Sequence, residues 1–267
     1  MKTKIIDCIT FFQENLMFKL RYEVLKDVVD YFVVCESIFD HKGRNKNLNF
    51  DKKLIIDQKI KYIIHRKSFN PSGSVWQNQA EQREFILNSL DFVESEDLIF
   101  FSDPDEIPNP EILRKFKLKK KYGIFFQKCF NYKFNLYNPH ETPWEGTRVC
   151  KKKNLKSIDY MRQKVLSKNL KYPFWRFDKE KDLEIFYDGG WHFNNILSPE
   201  QISLKLKTFA HTQFVDDKYS NPDVIKKKIS EKIDLFERGH SYEKKNKNEI
   251  FPNYLLKEIN NYEEFLI

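Results

Sequence analysis

Glycine is scarce in this chain, with seven among 267 residues against 25 phenylalanines. That ratio excludes a collagen-like or glycine-rich fibre, and the aromatic content argues for a packed core rather than disorder. No apolar run approaches the roughly 20 residues needed to span a bilayer as a helix, and no internal repeat is visible. Cysteine is limited to Cys8, Cys35, Cys129 and Cys150, with no C-x-x-C pair. Widely spaced thiols of this kind read as buried residues in a reducing compartment, and they speak against zinc and disulfides. The opening MKTKIIDCITFF has basic residues and an apolar stretch, but Asp7 interrupts it and no small-residue cleavage site follows. It reads as the first strand of a soluble, cytoplasmic protein. Acids are outnumbered, 39 against 47 bases, for a formal charge of +8. The excess suits anionic partners such as nucleotides, phospholipid headgroups or nucleic acid, and equally a solvated lysine-rich surface.

What is present is a strand–helix alternation in the first half. KIIDCITFF (4–12), DYFVVCES (30–37), IKYIIH (60–65) and DLIFFS (97–102) read as buried strands. Between them, residues 14–29 place Leu16, Leu20 and Val24 at helical spacing, and residues 75–93 follow a turn cluster whose Ser74 predicts an N-cap. Continuous apolar strands joined by helices predict a mostly parallel central sheet covered on both faces, with ligands beyond the carboxyl ends of its strands. The second half is less regular. YGIFFQKCFNYKFNLY (122–137) predicts two strands, TRVCKK (147–152) another, and LEIFYDGGWHFN (183–194) a strand and a double-glycine turn. SPEQISLKLKTFAH (198–211) carries a Ser N-cap and Pro at the first helical position, and the lysine-rich tail from about 222 reads as helical. Residues 243–249 read as a surface linker.

Three constellations carry chemistry. Asp103-Pro-Asp105 has the D-x-D form at the end of a buried strand, stiffened by Pro104 and Pro108. Two carboxylates one residue apart can share Mg²⁺ or Mn²⁺ and leave coordination positions for a substrate diphosphate. Arg83 falls in the apolar stripe of its helix, among Trp76, Ala80, Leu87 and Leu90, where it must find an anion or snorkel out: a structural ion pair, or a contact to a bound phosphate or to the acidic cluster. DGGWHF (188–193) joins an acid, a flexible turn, an aromatic platform and a histidine. Trp191 would stack on a sugar and His192 would ligate a metal, whereas a purely structural turn would make both of them core or backbone-bonded. His211 is a weaker second histidine, and the stretch 140–148 adds Glu141, Trp144 and Glu145.

In chain order, CITFFQENLMFKLRYEVLKDVVDYFVVCES, GRNK, AEQRE, DLIFFSDPDEIP and GGWHF resemble glycosyltransferase family 17, over roughly residues 5 to 215. This is the group of β-1,4-N-acetylglucosaminyltransferases that add the bisecting residue to N-glycans. The resemblance implies a GT-A-like, Rossmann-type nucleotide-sugar fold, a mostly parallel sheet flanked by helices, and an inverting transfer of GlcNAc from UDP-GlcNAc to a glycan acceptor. It implies one glycosyltransferase domain over 1–267, with a nucleotide-sugar half (1–121), an acceptor and metal half (122–220) and a helical tail (221–267). It further implies Asp103 and Asp105 at the metal and diphosphate, and Glu14, Glu36, Lys46 and Arg83 around the donor. For the base that deprotonates the acceptor hydroxyl, Asp188 comes first and Glu145 second. The family's usual Asn before the first acid is Gln13 here, and no stretch corresponds to the membrane anchor of the animal members, so their acceptor does not carry over. The basic tail is the place for a peripheral membrane contact; nucleic acid is not an expected partner.

Two rival classes share some of these features. A phosphohydrolase of the haloacid-dehalogenase type wants its D-x-D after the first strand, and a nucleotidyltransferase wants a glycine-rich basic loop there; FFQENLMF is neither. A non-enzymatic binder of anionic polymers would interleave basic and aromatic residues on one face without an acidic pocket.

Overall fold

A computed structural model describes residues 3–70, 73–208 and 217–267; His211 lies outside them. The chain runs through β1 (Ile5–Phe11), α1 (Asn15–Leu25), β2 (Tyr31–Ser37), β3 (Ile60–His65), α2 (Val75–Phe85), β4 (Leu98–Ser102), β5 (Glu106–Pro108), α3 (Pro110–Arg114) and β6 (Tyr122–Asn131). There follow β7 (Leu136–Tyr137), β8 (Trp144–Lys151), α4 (Ile158–Lys164), β9 (Leu183–Phe186), β10 (Gly190–Asn194) and α5 (Pro199–Thr208). The last elements are α6 (Asp217–Ser220), α7 (Pro222–Glu231), β11 (Glu243–Lys244), α8 (Lys247–Ile250) and α9 (Asn253–Lys257).

The first-half strands pair in the order β3-β2-β1-β4, all parallel. Period-two alternation sorts their side chains into two cores. Ile9, Phe11, Phe32, Val34, Leu98 and Phe100 face one layer, which α1 covers with Met17, Phe18 and Leu20. Ile6, Cys8, Val33, Cys35, Ile99 and Phe101 face the other, which the stretch after α2 covers with Ile86 and Leu90, and α4 with Ile158 and Met161. Helix α2 starts on the predicted cap: Ser74 Oγ accepts from Gln77 N, and Gln77 Oε1 from Ser74 N. Its α-helical part ends at Phe85 and continues as a 3-10 turn over Ile86–Ser89, short of the predicted residue 93.

Asp7 points into the first layer, where the buried Arg21 of α1 binds both its oxygens at 2.5 Å and reaches Ser102 Oγ at 2.9 Å. These bonds lock α1 to the middle of β1 and the end of β4.

The central strands are parallel as expected, and the sheet as a whole is mixed rather than all parallel. β8 is antiparallel to β4, and β6 is antiparallel to β8. Parallel neighbours need a crossover of a dozen or more residues, and the links joining β6, β7 and β8 are too short to provide one. β9 and β10 both run parallel to β6, at successive registers: Phe186 lies opposite Phe125, and Trp191 opposite Lys128. The double glycine therefore does not turn the chain back. It takes up two extra residues while the strand keeps its direction.

The tail packs against the first core. Ile250, Phe251, Leu255 and Tyr262 are buried in the first core. The predicted linker at 243–249 forms β11, paired with β7, and the start of α8. No helix among the described residues is long and apolar enough to cross a membrane.

Candidate active site

Strand register brings two distant motifs together. β5, directly after the D-x-D, pairs antiparallel with β10, and Glu106 lies opposite His192. Phe193 N donates to Asp105 O at 2.8 Å, closing the D-x-D turn onto the GGWHF strand. The approach is so close that only glycine fits at 190. Its φ is +127°, and a Cβ there would lie 2.1 Å from Ile107 O.

Alternation along β10 then assigns the side chains. Trp191 and Phe193 face the core, and Trp191 Nε1 donates to the Ile250 carbonyl. Trp191 is thus a core residue and not the sugar platform read from the sequence. His192 faces a cavity of about 430 Å³ at the carboxyl ends of β1 and β4, whose wall includes Glu14, His41, Asp103, Asp105, Glu141, Trp144, Lys205 and Arg238. The aromatic beside His192 is Trp144, stacked on it with ring centroids 4.5 Å apart. Trp144 Nε1 donates to Glu106 Oε1 at 2.7 Å.

The two D-x-D acids have different surroundings. Asp103 Oδ2 accepts from Arg162 Nη2 at 2.6 Å, and its Oδ1 lies 3.6 Å from Arg83. Burial pushes this carboxyl up, but Arg162, Arg83 and His192 outweigh it and hold the pKa at about 2. Asp105 sits between His192 Nε2 at 3.6 Å and Lys205 Nζ at 3.5 Å. Among the described residues, no group of three or more His, Cys, Asp or Glu side chains is placed to hold a metal alone. Asp105 and His192 nevertheless present a carboxylate oxygen and an imidazole nitrogen to the same space. That donor pair fits a Mn²⁺-class ion completed by diphosphate oxygens, whereas Asp103 is already engaged by guanidinium.

The other predicted residues divide. Glu14 lines the cavity at the start of α1; its Oε2 accepts from Phe12 N and Gln13 N, and its buried Oε1 has no hydrogen-bond partner. Arg83 is buried and stands behind the wall, bonded to Asp159 at 3.0 Å. Glu36 and Lys46 pair with each other at 2.5 Å and do not line the cavity. Glu36 also accepts from Asn49 N, Phe50 N and Tyr62 Oη, so it shapes the loop after β2. Glu145 is turned to Arg148 and Ser167. Asp188 is a correction: it sits at φ +48° in the strand offset, its side chain is 79% exposed against Lys128, and it is not part of the cavity wall.

Sequence reasoning missed Arg162, Lys205, Arg238 and His41. Arg162 was findable, because on its helix it shares the face of the buried Ile158 and Met161, the same signal that marked Arg83. Lys205 and Arg238 come from α5 and the tail, and no local pattern marks them. His41 Nε2 lies 3.0 Å from Gln82 Oε1. Burial lowers its pKa to about 4, against the opposing pull of that bond, so the ring is neutral.

Residues 1–263 match glycosyltransferase family 17. Among curated proteins, the β-1,4-mannosyl-glycoprotein 4-β-N-acetylglucosaminyltransferases of Rattus norvegicus and Homo sapiens are each 30% identical over 117 residues. The match covers 39% of this chain and 22% of each relative, so it spans under a quarter of their length. Among solved structures, HddC from Yersinia pseudotuberculosis aligns with a TM-score of 0.40 at 11% identity, over 70% of this chain and 92% of that one. Glucosyl-3-phosphoglycerate synthase from Mycobacterium tuberculosis aligns with 0.38 at 11% identity, over 72% and 71%.

Proposed function

The chain belongs to glycosyltransferase family 17, and from that premise we propose that it transfers GlcNAc from UDP-GlcNAc to a glycan hydroxyl, with a divalent ion at Asp105 and His192. The observation that carries this reading is the β5–β10 register. It sets an acid and an imidazole side by side in the wall of a cavity that also presents Lys205 and Arg238. Such a wall suits an anionic donor whose diphosphate must leave.

A bound Mn²⁺ or Mg²⁺ would neutralise charge on the departing diphosphate. The protein's own part is positioning. Asp105 and His192 orient the diphosphate end, Lys205 adds positive charge beside it, and the Asp103–Arg162 pair keeps the D-x-D turn rigid. Inversion needs a carboxylate to take the acceptor proton on the opposite face. Because Asp188 is outside the cavity, this step passes to the two cavity carboxylates outside the D-x-D: Glu14, with its unpartnered Oε1, and Glu141, whose Oε1 is held by Arg238 at 2.6 Å. In this reading the fold is of GT-A type, residues 1–121 hold the donor, residues 122–220 form the acceptor side, and the tail completes the wall through Arg238.

The test is a nucleotide-sugar panel with Mn²⁺, followed by UDP release and thermal shift. UDP-GlcNAc should give the largest stabilisation and metal-dependent UDP release. Stabilisation by nucleoside triphosphates, with pyrophosphate release, would instead favour a nucleotidyltransferase.

A further inference from the structure

The segment between α4 and β9 is built to project. Buried Asn169 staples its stem, donating through Nδ2 to Lys164 O at 2.7 Å and Glu180 O at 3.0 Å. The tip is ordered by its own bonds: Arg176 N to Pro173 O, Phe177 N to Trp175 O, and Lys181 Nζ to the carbonyls of Pro173 and Phe174. All nine residues from Leu170 to Asp178 are exposed. Yet the tip reads LKYPFWRFD, and Phe174, Trp175 and Phe177 are 81%, 60% and 88% exposed. A fixed loop that keeps three large aromatics in water lacks a covering surface.

The charges say which surface. From Lys164 to Phe177 there are four cations and no acid. Lys164, Lys168 and Lys171 form no ion pair with a described residue. The acids that follow are paired: Asp178 with Arg176 and Lys179, Glu180 with Lys121, and Asp182 with Lys120. Trp, Phe and Tyr at a projecting tip, ringed by Lys and Arg, have the chemistry of a lipid interface, where rings sink among headgroups and cations meet anionic phosphates. Protein interfaces instead deplete lysine at their cores.

We propose that residues 170–177 seat this protein on an anionic membrane surface. The root of the loop is joined to the cavity wall: Ser167 N donates to Glu145 Oε2 at 3.2 Å, and Glu145 follows cavity-lining Trp144 on β8. The loop is thus tied at its root to the strand that carries Trp144. The proposal does not depend on the reaction performed there.

The test is co-sedimentation of the full chain with vesicles of phosphatidylcholine alone and of phosphatidylcholine with phosphatidylglycerol, at low and high salt. The wild type should bind the anionic vesicles, less so at high salt. A Phe174→Ser/Trp175→Ser/Phe177→Ser variant should bind at least about tenfold more weakly, with an unchanged melting temperature because all three side chains are exposed. Lys164→Gln/Lys168→Gln/Lys171→Gln should weaken binding and reduce its salt dependence. Absence of wild-type binding, or undiminished binding by the serine variant, would overturn the proposal. So would wild-type dimerisation, read by light scattering, that the serine variant abolishes, since a second copy would then be the cover.

Discussion

Arg162 Nη2 lies 2.6 Å from Asp103 and 2.7 Å from Glu106, so one guanidinium from α4 clamps both ends of the D-x-D turn. Glu106 is fully buried, and this contact is its cationic partner. Arg162→Met should therefore cost about 3–5 kcal/mol in urea unfolding. Asp103→Asn should cost less, because Arg162 keeps Glu106. Equal and small losses for the two would show that the clamp is not structural.

Asp105 and His192 have the opposite balance. Asp105 meets Lys205 and His192 at 3.5 and 3.6 Å, longer than the 2.6 Å Asp103–Arg162 contact, and both residues face the cavity. Asp105→Asn and His192→Ala should lower Mn²⁺-dependent UDP affinity by at least about tenfold, while the melting temperature falls less than in Arg162→Met. Titration calorimetry with and without Mn²⁺ checks this; metal-independent UDP binding of unchanged strength would remove the ion from the proposed site.

Asp188 makes only a surface pair, so Asp188→Asn should leave kcat within about twofold. Glu14→Gln and Glu141→Gln should each keep the fold, and the one that is the base should lose kcat by at least about a hundredfold with UDP affinity retained. Steady-state kinetics on the three variants separates these roles.

Gly190→Ala introduces a Cβ at φ +127°, 2.1 Å from Ile107 O. Strain and overpacking together should cost at least about 3 kcal/mol and separate β5 from β10. Gly43, at φ +79° with nothing within 4 Å, provides the control: Gly43→Ala should cost about 1 kcal/mol.

His41 links stability to pH. Its pKa falls from 6.5 when unfolded to about 4 when folded, and burial lowers His65 as well. Between those values the unfolded chain binds the extra proton. The stability contributed by a neutral His41 is thus complete above about pH 6.5 and is lost as pH falls through 4. By about pH 5 the loss should be on the order of 2 kcal/mol. Asp103, held at about 2, loses its contribution only below its ordinary 3.8. Urea midpoints across this range check the slope, which His41→Asn should reduce.

Local pattern was enough for the four parallel strands, the Ser74 cap, the carboxyl-end address of Asp103 and Asp105, and the place of Arg83 in an apolar stripe. Each depends on a period or a cap written within a few neighbouring residues, and the family resemblance needs only short motifs in order. The direction of the later strands, the meeting of DPDE with GGWHF, the inward turn of Trp191 and the exclusion of Asp188 depend on pairing register between segments some 85 residues apart. A one-residue shift in that register exchanges the core face for the cavity face, and no local spacing records which was chosen. The cations at the site, from α4, α5 and the tail, are likewise placed by packing alone. Sequence thus sets which segments form the four parallel strands and where their carboxyl ends lie, while the β5–β10 pairing, with glycine as the one residue that fits at 190, decides which side chains face the cavity.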